Sequence, residues 1–106
     1  MSTTKNWPIN TGRDGIPVSV GTSSTLTQIV PAGDQTLLIA ADVMIDNPGP
    51  NDVFIQAGGA SVVATANSMR VPANSVQPYG KGTTTHIAMI SPAGSQAVRI
   101  HIGDGA

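Results

Sequence analysis

The amino-acid sequence predicts an all-β protein: a small antiparallel β-sandwich or jelly roll of about eight strands. Three observations carry this. Apolar and polar residues alternate at period two in several short runs, while no window of eleven residues repeats at 3.6. Helix formers are scarce, since the 106 residues include no glutamate and two lysines but 12 Gly and 8 Pro, the two residues a helix interior tolerates least. Turn signals recur at the spacing of short sandwich strands.

The elements follow in chain order. Residues 1–15, "MSTTKNWPINTGRDG", are polar and carry Pro8, Gly12 and Gly15. They fit no strand pattern and read as an extended N-terminal arm, leaving 16–106 as the sandwich domain. Ile16, Val18 and Val20 alternate with Pro17 and Ser19. A second strand is expected over Thr25 to Val30. Leu37, Ile39, Ala41, Val43 and Ile45 make one continuous apolar face, with Asp42 and Asp46 on the opposite side. Further strands are expected at Asp52 to Gln56, Ser61 to Ala66, Ser75 to Pro78 and Thr83 to Ile90. The last is marked by Val98, Ile100 and Ile102 alternating with Arg99 and His101.

Between them one turn chemistry recurs. "VPAG" (Val30 to Gly33), "VPAN" (Val71 to Asn74) and "SPAG" (Ser91 to Gly94) each place Pro second and Gly or Asn fourth. That order suits a type I turn. In "NPGP", Asn47 to Pro50, Pro48 fixes φ and Gly49 supplies a positive φ, a type II signature. Pro50 has no N–H to give a ladder, so the next strand cannot begin before Asn51. "AGGAS" (Ala57 to Ser61) reads as a turn in which Gly58 and Gly59 are free to take positive φ. With Phe54, Tyr79 and Trp7 the only aromatics, the core must be aliphatic, and its stability margin as a lone monomer modest.

Composition narrows the function classes. Asp, Glu, Lys and Arg make up 10% of the chain, against about 25% in ordinary domains. The net charge of −1 gives no electrostatic reason to bind nucleic acid or an anionic membrane. Lys5, Arg13, Arg70, Lys81 and Arg99 are scattered, with no aromatic platform beside them. There is no cysteine, hence no disulfide framework or thiolate metal site. No apolar run approaches the roughly 20 residues a membrane helix needs, and the N-terminus lacks the apolar core of a secretory signal; a soluble, cytoplasmically made protein is expected. So neutral a surface fits either a small domain that happens to be soluble or a surface meant to be covered by neighbours.

Chemistry-bearing patterns are weak. His86 and His101 fall on different expected strands without metal-ligand spacing, and could meet a carboxylate such as Asp104 only if those strands were neighbours. The serines lack a G-x-S-x-G elbow. Asp42 and Asp46, four apart on one strand, stand roughly 13 Å from each other, too far for a carboxylate pair. "YGKGTTTH", Tyr79 to His86, echoes the tail of a phosphate loop, but lacks its first glycine and the helix that would follow; it reads as a hairpin tip. No cofactor is expected. The arm is the better candidate for a contact: Lys5, Asn6, Trp7 and Arg13, with Trp7 its single large apolar group. Trp7 either folds back onto its own sandwich or anchors in a neighbouring subunit, as isolated aromatics at interfaces do.

From about Asp46 onward the chain resembles the small accessory proteins of tailed-bacteriophage capsids. The resemblance rests on "NPGPNDVFIQAG", "VPANSVQPY", "THIAMI" and the ending "IHIGDGA", which together follow that group's order of an Asn-x-Gly turn, a Val-aromatic-Ile strand, a Val-Pro-Ala turn, a Thr-His-Ile-Ala strand and a final Gly-x-Gly. It covers a little over half of the chain, and its motifs are turn and strand chemistry. It implies a capsid decoration, or cement, protein: a non-enzymatic virion component on the capsid exterior, a homo-oligomer, typically a trimer, whose partner is the major capsid protein. A phage fibre, tail or glycan-binding sandwich module is the alternative, favoured if Tyr79 stands exposed beside a groove. A small enzyme would require His86, His101 and a carboxylate to converge.

Overall fold

The inward-facing residues of eight short strands build two facing antiparallel sheets. The computed structural model describes residues 15–34 and 42–103, and among these there is no helix. The strands are β1 (Ile16–Val20), β2 (Thr25–Gln28), β3 (Asp42–Asn47), β4 (Val53–Gly58), β5 (Met69–Val71), β6 (Ser75–Gly80), β7 (His86–Ile90) and β8 (Gln96–Gly103). Sheet I has the order β1-β8-β3-β6 and sheet II the order β2-β7-β4-β5. The ladders β1·β8, β2·β7, β3·β6 and β4·β5 are those of one long hairpin wound round itself, with β3·β8 and β4·β7 closing each sheet.

Register puts the alternation to use. Ile16, Val18 and Val20 of β1 lie opposite Ile100, Val98 and Gln96 of β8, while Val43 and Ile45 of β3 lie opposite Ile102 and Ile100. Sheet II answers with Val53, Ile55, Val71, Ile87 and Met89, and Ile29 and Val30 close the space after β2. This core is aliphatic, as expected; Phe54 lies outside it. Each fully buried Val or Ile contributes roughly 1.5–3 kcal/mol of transfer free energy. The edges are short or carry proline. β1 has Pro17 and β6 has Pro78, while β2 and β5 are 4 and 3 residues long. Such edges offer little template for adding another strand.

Several expectations need correcting. Ser61 to Ala66 is not a strand. The partner edge of β4 is taken instead by Met69–Val71, and residues 59–68 form a loop with turns closed by Val62 N–H to Gly59 O and Ser68 N–H to Thr65 O. Gly58 and Gly59 do not take positive φ; Gly58 is glycine because Val62 packs on it, and a Cβ there would come within 2.9 Å of the Val62 side chain. Tyr79 to His86 is no hairpin tip but a crossing between sheets, from β6 in sheet I to β7 in sheet II. Residues 37–41 of the expected apolar run, the arm (1–14) and Asp104 lie outside the described residues.

The turns slide for an identifiable reason. "SPAG" closes as expected, Gly94 N–H to Ser91 O. "VPAG" closes one residue later, Asp34 N–H to Pro31 O, with Gly33 third at φ 83°. "VPAN" likewise places Asn74 third, at φ 60°. In both shifted cases the valine carbonyl that should accept the turn bond is occupied by a side-chain amide: Gln28 Nε2 on Val30 O and Asn47 Nδ2 on Val71 O. At "NPGP", Gly49 does take φ 83°, but the bend is closed by Gly49 N–H to Asn47 Oδ1, since Pro50 has no N–H to offer.

Candidate interaction surface

The residues with chemical potential stay apart. His86 is in sheet II and His101 in sheet I, and among the described residues no three His or Asp side chains cluster as metal ligands. His86 Nδ1 shares a 2.7 Å hydrogen bond with Thr85 Oγ1. Asp42 and Asp46 both point outward from β3, either side of Met44. Lys81 is buried; its ammonium donates to Gly82 O at 3.0 Å and Thr84 O at 3.5 Å. Burial pulls its pKa below the usual lysine value, and the Asp42 carboxylate draws it part of the way back. A lysine that spends donors on its own turn is a structural one. Tyr79 is half-buried against the core, with its hydroxyl 3.4 Å from Arg70 O. It bridges β6 and β5 and also lines an open groove of about 360 Å³ with Gln56, Asn67, Ser68 and Met69, the setting named above for the glycan-binding alternative. The arm candidates Lys5, Asn6, Trp7 and Arg13 lie outside the described residues.

What the structure does offer is two unlike outer faces. On sheet II, register turns Leu26, Ala88, Gln56, Phe54, Ile90 and Arg70 outward. Yet Ala88 is 0% exposed. Its cover is the 59–68 loop, which starts at β4 with Val62 on Gly58 and reaches β2, where Ala64 N–H donates to Ser24 Oγ at 2.9 Å. Between those two attachments it must pass over β7. Beside it, Arg70 pairs with Asp52 at 2.9 Å. The hydrogen bond from Ala73 N–H and that from Arg70 hold the Asp52 carboxyl below the usual carboxylate range.

Sheet I has no such cover among the described residues. Its outward positions are Pro17 and Ser19 on β1, Ala97, Arg99 and His101 on β8, Asp42, Met44 and Asp46 on β3, and Val76 and Pro78 on β6. Val76 is 57% exposed. Arg99 and His101 lean toward β1: a Cβ on Gly15 would run into both side chains. An open trough of about 430 Å³ runs between Pro17, Ser19, Ala97 and Pro48, with Asp46 and Arg99 on its sides. The exposed face of an antiparallel sheet ordinarily reads polar. Here five of the outward residues are Pro17, Met44, Val76, Pro78 and Ala97.

The end of the sandwich beyond Pro48 is braced by two buried amides that the sequence did not single out. Asn47 Nδ2 donates to Asn51 O and Val71 O, tying β3 to the other sheet. Gln96 donates from Nε2 to Gly49 O and accepts from Asn51 N–H. Their signal was faint: a polar residue at an inward position of an otherwise apolar alternation. Comparison of the chain with protein-family models, with curated proteins and with solved structures returns no match.

Proposed function

We propose that this protein is a non-enzymatic virion component, a β-sandwich that self-associates, as a trimer, and reinforces a phage capsid by bridging neighbouring major capsid proteins on the shell exterior. The observation that carries the reading is the outer face of sheet I, which no described loop covers and on which Pro17, Met44, Val76, Pro78 and Ala97 make up half of the outward positions. A clamp needs rigid sheets and a surface cheap to desolvate, and it gains from engaging several subunits at once. The proline-bearing or short edges direct association toward faces and loops rather than continued sheets. The rolled-hairpin strand order supports a jelly-roll description, an architecture that viral shells use, and the phage resemblance of the second half of the chain agrees with it.

The test is co-sedimentation of the purified protein with expanded empty tailed-phage capsids, alongside its solution mass. Binding that saturates at a fixed ratio to capsid subunits, and a mass near three times 10.7 kDa, are expected. A monomer that stays in the supernatant removes the proposal.

A further inference from the structure

We infer that the trough on sheet I seats the N-terminal segment Lys5–Arg13 of a second copy of this chain, with Trp7 laid on the floor of Pro17, Ala97 and Pro48. The inference rests on the self-association in the reading above and names its contact.

Three observations carry it. The first is the shape and chemistry of the trough. Its floor is aliphatic and proline-rich, and Arg99 on its side can stack on an indole face. The second is charge. Lys5–Arg13 holds two basic residues and no acid, and the trough offers Asp46 to one of them, while Arg99 beside it is turned toward Gly15. The third is where the described chain starts. Gly15 lies beneath Arg99 and His101, four positions before Ser19 of β1 and level with Met44 of β3. Eight residues separate Trp7 from Gly15, an extended reach of roughly 26 Å, against a molecular thickness of 24 Å. Trp7 can therefore stand clear of its own sandwich and onto a neighbour's. A contact of arm to trough is head-to-tail, and such contacts close into rings when the rotation allows.

Trp7 is the one tryptophan in the chain, so its fluorescence reads the seat directly in the full-length protein. The expected result is blue-shifted emission that moves to the red on dilution, in step with a fall in sedimentation mass to one copy. Ala97→Arg, at an exposed position of the floor, should abolish the higher mass and raise acrylamide quenching of Trp7 several-fold, with the far-UV circular dichroism unchanged. Should that variant misfold, Ser19→Lys on the trough wall decides in its place. Blue-shifted emission independent of concentration places Trp7 on its own copy and overturns the inference. So does emission that is red throughout, or a trough variant with wild-type mass and quenching. No capsid enters this experiment: a protein that exchanges arms but binds no shell keeps this inference and loses the clamp reading, whereas a protein that binds shells without exchanging arms does the reverse.

Discussion

Among the described residues, the outer face of sheet II wears a lid and the outer face of sheet I does not. On sheet II the 59–68 loop brings Val62 onto Gly58 and Ala64 to Ser24, and Ala88, an outward residue by register, loses all solvent contact. On sheet I comparable outward positions, Met44 and Ala97 among them, meet no such loop among the described residues, and Val76 stays more than half exposed. The difference holds at the centre of the faces: the loop takes Ala88 out of solvent, while Leu26 and Met69 on the edge strands of sheet II and Val63 on the loop itself stay exposed. Substitutions beneath the loop on sheet II should therefore register in the stability of the isolated protein, and those on sheet I should register only in association.

The largest effect is expected where both sheets are tied together. Asn47→Ala removes the donor to Asn51 O and Val71 O and the acceptor of Gly49 N–H in a fully buried setting. A buried polar group left unpaired costs about 1–3 kcal/mol, so a total loss of roughly 3 kcal/mol is expected, read as a lower urea midpoint. With the Val71 carbonyl freed, the following turn can also slide back to the closure expected for "VPAN". A loss under about 0.5 kcal/mol, within the range of an ordinary surface change, would mean that Asn47 is no strut.

Gly58→Val comes next, because the added side chain meets Val62 and must lift the lid. Overpacking of this kind costs about 1–3 kcal/mol, and amide exchange at Ala88 and Leu26 should speed up with it. Ser24→Ala releases the far attachment alone, for about 1 kcal/mol. If neither variant exposes Ala88, something other than the loop covers it, and the contrast between the faces fails on that side.

How much of this was legible beforehand depends on the range of the interaction involved. The inward residues of β1, β3 and β8 were readable because alternation is local and the burial of one face enforces it. Ser61 to Ala66 misled for the complementary reason: its valines and threonine have strand-like composition, but β4 has one free edge and Met69–Val71 holds it. Propensity cannot see that competition. The shifted turns fail similarly, since nothing near Val71 reveals that an amide 24 positions away occupies its carbonyl. Asn47 and Gln96 meet one loop across 49 positions of chain, and only the rolled topology brings them there. The trough is of the same kind, assembled from three strands and the Pro48 bend.

On the lidded face, Asp52 supplies a pH test with a defined sign. The hydrogen bonds from Ala73 N–H and Arg70 hold its folded pKa below the ordinary aspartate value, so the unfolded chain takes up the proton first as pH falls. The contribution is complete above the unfolded pKa and is lost as pH drops through the folded one, so it disappears only below about pH 4. Asp52→Asn should flatten that part of the acid-denaturation profile while leaving neutral stability little changed, since the pair with Arg70 is exposed. An unchanged acid slope would assign the acid sensitivity to other carboxylates.

The smallest expected effect is the most informative about the bare face. Val76 stands on an edge strand, opposite Asp46, with most of its side chain in solvent. Val76→Thr keeps the β-branch and the strand preference, so it should alter the unfolding free energy of the dissociated protein by no more than about 0.5 kcal/mol. A cost above about 1 kcal/mol in that state would mean the side chain is already packed within a single copy. Sheet I would then be covered by its own chain, as sheet II is. A near-zero cost leaves the apolar residues of that face without a task inside the fold, which is the condition an association surface has to meet.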